Sequence, residues 1–432
     1  MQLPGTTTVV TCGRFAQETT IDGNVVGSFV YGRQYRERAD AVPLDPYHLP
    51  LTDRTQTTAA LGGIFGALRD ASPDAWGRGV IQRALARTDL TEVDYLLQSP
   101  QDRAGALSFG RNPVPPSPTW AYNQVVRLGD LYEAARLIEQ GVIDPIPAHL
   151  RTAEALLNVG GTSMGGARPK NVVEDASGLW IAKFPARGDK WNNAPVEAGL
   201  LALARRCGIT AATTRIERIG DAEVLLVQRF DRERIPLEDG DVDVVGASAD
   251  ARPPRYRRAR MVSALTVLDA DDSPQLRGRW SYVLLAEELQ RWSRRPEEDQ
   301  RELFRRMVFN ALVSNLDDHP RNHALIAPGD AWHLAPAYDL TPDPRLGRHD
   351  RQLAMVAGRY GFWARRANLR TEAARFALTP EAADVIMDDM VTAVRALWEG
   401  EIRREGASVA DCAQIAPAFM DEGFEYPYNP GW

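Results

Sequence analysis

The 432-residue sequence contains only three cysteines, Cys12, Cys207 and Cys412, and they lie far apart. An odd number of widely spaced thiols argues against a disulfide framework and against a thiolate metal site. No run of roughly 18 apolar residues occurs, so the sequence predicts no membrane span. The first residues also lack the basic and then apolar pattern of a signal peptide. We therefore expect a cytoplasmic protein.

Positive charge is not in excess either, because 51 lysines and arginines stand against 58 aspartates and glutamates, a net charge of −7. This balance argues against broad nucleic-acid binding through the overall field of the protein. The chain is otherwise ordinary for a globular protein, with 44% hydrophobic and 25% charged residues. Its length leaves room for two or three domains.

Lysine is the scarcest of the charged residues, and the only three are Lys170, Lys183 and Lys190 in one short segment. Lysine presents a compact point charge that fits between phosphate oxygens, where a planar guanidinium would not. We therefore assign a function to Lys170 and Lys183. Lys190 falls in a predicted loop, where chance explains it.

Residues 1–110 are predicted to form a β-rich N-terminal domain. The segment from Val25 to Tyr31 is typical of a strand, and Asp102 to Phe109 reads as a final strand. Between them, Ser72 suits a helix N-cap and Pro73 suits the first turn. None of these patterns indicates chemistry by itself.

Residues 111–232 are predicted to hold a proline-rich linker and the N-terminal lobe of a nucleotide-binding fold. The segment from Val159 to Lys170 contains four glycines, whose backbone N–H groups could approach phosphate oxygens. A plain turn is the commoner explanation of such glycines, and the segment is not a Walker A loop. Ser163 lies beside the glycines, and the residues alone favour a turn hydroxyl over a phosphorylation site.

Position strengthens the interpretation of this loop, because a predicted strand ending near Lys183 follows it. Glu197 lies in the first turn of a helix predicted from Pro195 to Cys207. A strand lysine paired with a helix glutamate positions ATP phosphates in kinases. Taken alone, Glu197 is explained as well by an acid stabilised by the helix dipole.

A second nucleotide contact is predicted where an apolar strand runs into Gln228, Arg229 and Phe230. An adenine-binding hinge would lie at this place in a kinase. Because a hinge uses backbone groups, the side chains do not establish it. Residues 233–432 are predicted to form a mainly helical C-terminal lobe.

The strongest signal is a run of polar side chains from Asn315 to Asn322, directly after an amphipathic helix. Asp317 and Asn322 have the Asp-x-x-x-x-Asn spacing of a kinase catalytic loop, in which the Asp orients the attacking hydroxyl and the Asn holds magnesium. Asp339 ends a short strand predicted from Trp332, where the second magnesium-binding Asp is expected. The pattern predicts a phosphoryl-transfer site.

Two neighbours of Asp317 have alternative interpretations. Asp318 competes for the role of base, but only Asp317 has the required spacing to Asn322. Arg321 either neutralises charge on the transferred phosphate or bridges to a nearby acid, and the sequence favours neither.

His319 and His323 stand four positions apart, a spacing that on a helix could present two imidazoles to a metal. Pro320 and the absence of the glutamate of a His-Glu-x-x-His motif argue against a zinc site. We expect His319 to support the loop or to contact phosphate.

Together these segments resemble the HipA family of serine/threonine-kinase toxins from bacterial toxin–antitoxin modules. The likeness to the N-terminal domain of that family is carried by residues 72–78 and 102–109. The likeness to its kinase core is carried by residues 163–170, 183, 228–232, 315–322 and 336–339.

The resemblance implies an α+β, two-lobed, protein-kinase-like fold, with a mixed α/β N-terminal part and a mainly helical C-terminal lobe. It implies that Asp317 is the catalytic residue and that Asn322 and Asp339 bind Mg²⁺. The residues that it implies for ATP binding are Gly165, Gly166, Ala167, Arg168, Pro169, Lys170, Lys183, Glu197, Gln228, Arg229, Phe230, His319, Arg321, Asn322, Tyr338 and Asp339.

The resemblance also implies regulation and partners. Ser163 aligns with a serine whose autophosphorylation ejects the loop and silences the kinase, although residues 164–169 differ from the best-known family sequence. Family members phosphorylate aminoacyl-tRNA synthetases, glutamyl-tRNA synthetase being the known type. A small helix-turn-helix antitoxin neutralises them and binds operator DNA, so DNA would be reached only through that partner.

Two other classes of function stay open at the level of sequence. The same fold permits a kinase of small molecules such as sugars or aminoglycosides. A catalytically idle protein that serves as antitoxin partner or corepressor is the second alternative, and the presence of Asp317, Asn322, Asp339 and Lys183 argues against it.

Overall fold

The structure is a computed structural model, and it describes residues 1–99, 102–115, 123–140, 168–236, 256–271, 273–344, 351–419 and 422–426. The chain divides into two compact units, each assembled from three segments. Unit 1 comprises Met1–Arg187, Leu226–Val262 and Ile326–Ala331, and unit 2 comprises Gly188–Leu225, Ser263–Leu325 and Trp332–Trp432. The units follow spatial packing, so the domain boundaries expected near residues 110 and 232 stay predictions.

The described residues contain both strands and helices, as the α+β prediction required. The strands are β1 (Gly13–Thr19), β2 (Val25–Tyr31), β3 (Gln56–Thr58), β4 (Asn123–Gln124), β5 (Lys170–Asp175), β6 (Gly178–Lys183), β7 (Thr214–Ile219), β8 (Ala222–Gln228), β9 (Arg232–Arg234), β10 (Tyr256–Arg258), β11 (Arg260–Ser263), β12 (Ala324–Ala327) and β13 (His333–Leu334). The helices are α1 (Arg33–Arg36), α2 (Gly66–Asp70), α3 (Ala75–Leu85), α4 (Glu92–Gln98), α5 (Leu128–Glu139), α6 (Asn193–Arg206), α7 (Ala264–Val267), α8 (Tyr282–Trp292), α9 (Pro296–Val313), α10 (Arg366–Leu369), α11 (Pro380–Arg404) and α12 (Val409–Ile415). Within the part of the chain that the structure describes, no helix is both long enough and apolar enough to cross a membrane.

Unit 1 begins with a three-stranded antiparallel sheet in the order β1–β2–β3. The strand predicted at Val25–Tyr31 is confirmed as β2, and its alternate residues Gly27, Phe29 and Tyr31 are buried. Gly27 is required at its position, because a Cβ there would collide with the backbone carbonyl of Gly63. The alternation buries one face of this strand and leaves the other half-exposed.

Strands β4, β5 and β6 of unit 1 carry two of the candidate nucleotide-binding residues, Lys170 and Lys183. β4 pairs in parallel with β5, and β5 pairs antiparallel with β6. Residues 170–174 of β5 are all buried, as expected for an inner strand covered on both faces. The backbone N–H of Arg229 donates to the carbonyl oxygen of Leu179 in β6 at 2.9 Å, which ties the predicted hinge segment to this strand.

One predicted helix start is wrong by two residues. α3 begins at Ala75, and its N-cap is Asp74 rather than Ser72. An Asp74 carboxylate oxygen accepts the backbone N–H of Gly77 at 2.8 Å, and this bond satisfies one of the orphan donors of the first turn.

The strand predicted from Asp102 to Phe109 is also wrong, because this segment has no regular structure. The carbonyl oxygens of Asp102, Arg103 and Gly105 accept hydrogen bonds from the buried guanidinium groups of Arg229 and Arg232. Side-chain donors therefore satisfy carbonyl groups that a strand would pair with a neighbouring strand.

Unit 2 is mainly helical around α6, α8, α9 and α11. α11 begins after a Thr379 N-cap, because the Thr379 hydroxyl accepts the backbone N–H of Ala382 and Pro380 lies in the first turn. The helix α6 ends as predicted, with Cys207 as its C-cap. Gly208 follows the cap with a φ of 75°, a conformation that favours glycine.

The packing of α6 against α11 predicts opposite effects of the same substitution at two helical glycines. A Cβ on Gly199 of α6 would stand 2.7 Å from the Cγ1 atom of Ile402, whereas a Cβ on Gly400 of α11 would meet nothing. We expect Gly199→Ala to cost about 1–3 kcal/mol of stability through overpacking. Gly400→Ala should add about 0.5–1 kcal/mol through helix propensity. Urea denaturation of both variants checks the difference, and equal midpoints would contradict this packing.

Candidate active site

The predicted catalytic loop starts where α9 ends. Ser314 caps this helix in the left-handed backbone conformation, with a φ of 52°. The backbone N–H of Asn315 then donates to the carbonyl oxygen of Asn310 at 2.9 Å. One short helical turn, Pro320–Asn322, lies further along the loop. Ser314 and Asn315 are fully buried, so packing holds the start of the loop in place.

Asp317 is exposed on this loop. Its backbone oxygen accepts the N–H of His319 at 2.8 Å and the side-chain amide of Asn322 at 3.1 Å. Partial desolvation raises the pKa of the Asp317 carboxyl, and His319 lowers it. The negative charges of Asp339, Asp318 and Asp343 raise this pKa further. The carboxyl therefore lies in a locally acidic environment that a cation would offset.

Asn322 has a side-chain oxygen that suits a cation. It is 5% exposed, and its Nδ2 group is used by the bond to the Asp317 backbone. Its Oδ1 atom is buried and has no hydrogen-bond partner among the described residues. Burying an amide oxygen without a partner is costly, and a hard cation is a natural partner for it. The residues present therefore fit the magnesium ion that a kinase requires.

Asp339 adopts a left-handed backbone conformation, with a φ of 59°, directly after Tyr338. The hydroxyl of Tyr338 donates to the carbonyl oxygen of Arg321 at 2.7 Å, which joins this segment to the predicted catalytic loop. The strand β13 ends at Leu334, earlier than the prediction that it continues to Asp339. The structure therefore brings the predicted residues of the loop and of this segment together in unit 2.

Asp318 has the opposite environment to its neighbour, because it is 1% exposed. Its Oδ2 atom accepts hydrogen bonds from the hydroxyl of Tyr282, from Asn310 Nδ2 at 2.6 Å and from His323 Nε2 at 2.7 Å. Burial and the charge of Asp318 raise the pKa of Tyr282 well above its ordinary value. Asp318 is thus a buried support beneath the loop, whereas Asp317 is exposed to solvent.

Contacts with three further residues, Asp343, Arg351 and Ala418, hold the start of the loop at Ser314. The Ser314 hydroxyl donates to the carbonyl oxygen of Ala418, and the buried guanidinium of Arg351 donates to both of these oxygens. The carbonyl oxygen of Ser314 accepts the backbone N–H of Asp343 at 2.9 Å. Sequence reasoning missed Arg351, because its partners are distant in the chain and no motif marks them.

The two histidines of the loop have separate roles in the structure. His323 is committed to Asp318, whereas the ring of His319 packs edge-on against Trp280 at 6.3 Å between centroids. In the described ranges, no three His, Cys, Asp or Glu side chains are grouped as a metal site. Magnesium in kinases needs no such group, because it is held through one or two carboxylates, substrate phosphates and water.

The two lysines that were predicted to bind ATP, Lys170 and Lys183, lie in unit 1. Lys183 ends β6, is partly exposed and lies directly opposite Lys170 in the β5–β6 pairing. The ammonium of Lys170 forms a buried ion pair with Asp74 at 2.7 Å. Of the predicted loop, Ser163, Gly165, Gly166 and Ala167 lie outside the described residues.

The remaining nucleotide residues stay predictions. Glu197 is buried in α6 of unit 2, at 5% exposure, and its pairing with Lys183 is a prediction that no contact described here tests. Gln228 ends β8, and the Arg229 side chain after it is fully buried against Asp231, so Arg229 could contact adenine only through its backbone.

Known proteins resemble this chain in sequence and in fold. The model of the HipA-like C-terminal domain family matches residues 162–398, more than half of the chain. A protein of Sinorhizobium fredii that carries the name "Putative kinase Y4mE" is 23% identical over 366 residues, which are 80% of this chain and 79% of that protein.

The fold is similar to that of HipA from Shewanella oneidensis MR-1, a toxin–antitoxin protein solved in complex with HipB and its operator DNA. The two structures align with a TM-score of 0.66 at 18% identity, over 96% of this chain and 98% of the other. The predicted α+β, kinase-like fold is thereby confirmed. The chain belongs to the family of proteins with a HipA-like C-terminal domain.

Proposed function

We propose that this chain is an ATP- and Mg²⁺-dependent protein serine/threonine kinase that acts as the toxin of a toxin–antitoxin module. One observation carries the proposal: Asn322, whose buried Oδ1 atom has no hydrogen-bond partner among the described residues, is hydrogen-bonded through Nδ2 to the backbone of the exposed Asp317, and the negative charge of Asp339 acts on the Asp317 carboxylate. The family of the chain supports a kinase, and its structural likeness to HipA supports a toxin.

In this proposal Asp317 orients the hydroxyl of the substrate Ser or Thr and accepts its proton. Its exposure lets a protein substrate reach the carboxylate, whereas Asp318 is closed off by its three hydrogen bonds. Phosphoryl transfer of this kind depends mostly on positioning and on electrostatic stabilisation. The contacts of Asp318 and Ser314 hold the loop so that Asp317 needs little rearrangement.

Asn322 and Asp339 would hold Mg²⁺, with water and ATP phosphates completing its coordination. When bound, the ion neutralises the negative charge of the phosphates. His319 and Arg321 lie on the same loop and would reach those phosphates. Tyr338 would contribute through its hydrogen bond to the Arg321 carbonyl oxygen, which holds the segment next to Asp339 against the loop.

Lys183 would steady the ATP phosphates, as the strand lysine does in kinases, with Glu197 as its partner. The backbone of Gln228, Arg229 and Phe230 would contact the adenine. The loop from Gly165 to Lys170 would cover the phosphates.

The proposed protein substrate is a translation factor such as an aminoacyl-tRNA synthetase, and the proposed partner is a small helix-turn-helix antitoxin. DNA would be contacted only through that antitoxin. Autophosphorylation of Ser163 would silence the enzyme by adding about −1.5 to −2 charges beside the phosphate-binding loop.

Labelling with γ-³²P-ATP and Mg²⁺ tests this function. We expect the purified chain to label itself and to label a protein in a cell extract, and phosphoproteomics after brief expression should identify that protein. Label on a sugar or aminoglycoside alone would favour a small-molecule kinase. ATP binding without any transfer would favour an idle antitoxin partner.

Mass spectrometry of the chain expressed with and without an intact Asp317 tests the regulation. Phosphate on Ser163 only in the protein with Asp317 is the expected result. Phosphate on Ser163 in the Asp317→Asn protein would contradict autophosphorylation. It would indicate that another kinase modifies this serine.

A further inference from the structure

The segment Ser72–Arg78 was noted in the sequence for its helix-start pattern and has no part in the chemistry proposed above. In the structure it forms the N-terminus of α3, where one oxygen of Asp74 caps the helix by accepting the Gly77 N–H at 2.8 Å. A helix cap needs only this one carboxylate oxygen. The other oxygen of Asp74 is used for a different contact.

That second oxygen binds the ammonium group of Lys170 at 2.7 Å. Both side chains are almost completely buried, at 4% exposure for Asp74 and 3% for Lys170. The indole N–H of Trp76 donates to the backbone carbonyl of the same lysine at 3.1 Å. The first turn of α3 therefore grips Lys170 twice, once by its side chain and once by its backbone.

Lys170 stands at a junction of the proposed nucleotide-binding elements. It is the first residue of β5, and Pro169 before it accepts the backbone N–H of Phe184 at 2.9 Å. It also pairs directly with Lys183 of β6. Directly opposed residues of an antiparallel pair project their side chains from the same face, with Cβ atoms about 4.5–5.5 Å apart.

Two lysines at such a distance repel each other, and like charges in this arrangement destabilise a pair of strands. Asp74 neutralises Lys170 and draws its ammonium group towards α3. The proposed contact of Lys183 with ATP then depends on where the β5–β6 pairing holds this residue.

We propose that Asp74 and Trp76 are positioning residues for ATP: they anchor Lys170, and through the β5–β6 pairing they set the place of Lys183. The inference rests on the proposed kinase function. In it, Lys170 acts as an anchor for the strand and does not itself bind a phosphate.

A double-mutant cycle on the full chain tests the anchor, with the dissociation constant of a fluorescent ATP analogue and the KM for ATP as readouts. We expect Asp74→Asn to weaken ATP binding by roughly tenfold to a hundredfold, because small displacements of a positioning group have effects of this order. Lys170→Met should cause a similar loss, and the double variant should be no worse than either single variant. Trp76→Phe, which removes only the N–H, should raise the KM for ATP with little change in kcat.

Glu92→Gln is the matched control. Glu92 of α4 binds Arg78 of α3 at 2.6 Å and 2.7 Å, and it has no contact with β5 among those described. It should lower the thermal midpoint without changing the affinity for ATP. An Asp74→Asn protein with normal affinity for ATP and only a lower midpoint would overturn the inference.

A second outcome would also overturn it. If Lys170→Met weakens ATP binding far more than Asp74→Asn does, and the double variant is worse still, Lys170 binds the phosphates directly. Failure of the wild-type chain to bind the analogue at all would instead remove the proposed kinase function. The three results are distinguishable in one set of titrations.

Discussion

Asp317→Asn is expected to lower the rate of phosphoryl transfer by about two to four orders of magnitude, the usual contribution of a positioned base. The amide has nearly the same shape as the carboxylate, but it cannot accept the proton of the substrate hydroxyl. Because Asp317 is exposed and its structural bonds come from its backbone oxygen, the fold should be unchanged. The thermal midpoint should therefore match that of the wild type while γ-³²P-ATP labelling is lost.

The neighbouring residue provides a matched control of identical chemistry. Asp318→Asn places a donor amide where Tyr282, Asn310 and His323 all direct hydrogen bonds at one oxygen. An unsatisfied buried polar group costs about 1–3 kcal/mol, so this variant should lose stability. Its activity should fall only as far as the loop loses its support. Full labelling by Asp317→Asn, or an equal loss of stability in both variants, would contradict the assignment.

The opposite roles of these two carboxylates show where sequence reasoning reaches its limit. The spacing of Asp317 and Asn322 is a local property, and it correctly predicted that both belong to one loop. The burial of Asp318 depends on Tyr282 in α8 and Asn310 in α9, which only the folded packing of unit 2 brings to the loop. Local spacing contains no information about such partners.

The errors in unit 1 have the same origin. Ser72 and Asp74 are both good N-cap residues, and the buried ion pair with Lys170 helps to place Asp74 at the cap. The segment after Asp102 has the composition of a strand, but arginines more than 120 positions away provide its hydrogen bonds. Long-range partners overrode local propensity in both cases.

Those arginines belong to a buried charge cluster, defined by Arg103, Arg229, Asp231 and Arg232, whose loss should have the largest effect on stability. Asp231 accepts hydrogen bonds from Arg229 at 2.8 Å and 3.0 Å, from Arg232 at 2.7 Å and from the Gly105 N–H at 2.9 Å. The side chains of Asp231, Arg229 and Arg232 are fully buried. Burial also lowers the pKa of Arg103 to about 9.

Asp231→Asn is expected to cost about 3–5 kcal/mol, because it leaves two buried guanidinium groups without their counter-ion. For a unit of this size such a loss lowers the thermal midpoint by roughly 10 °C. Glu37→Gln is the control, since it breaks the exposed pair with Arg33, at 58% and 84% exposure, and should change stability by at most about 0.5 kcal/mol. Similar midpoints for the two variants would show that the cluster contributes no more than a surface ion pair.

The same cluster predicts how stability depends on pH. Burial alone would raise the pKa of Asp231, but Arg229 and Arg232 outweigh it and hold this pKa below its ordinary value. The pKa of an aspartate in the unfolded chain is about 3.9. The folded state therefore binds this proton less tightly than the unfolded state, so the contribution of Asp231 is fully present above about pH 5 and is lost as pH falls through the folded pKa. Asp102 works against it, because burial raises its pKa in the folded state.

Denaturation at a series of pH values between 7 and 3 should show the difference between wild type and Asp231→Asn shrinking towards the acid end, and a difference that stays constant over this range would remove the charge from the explanation.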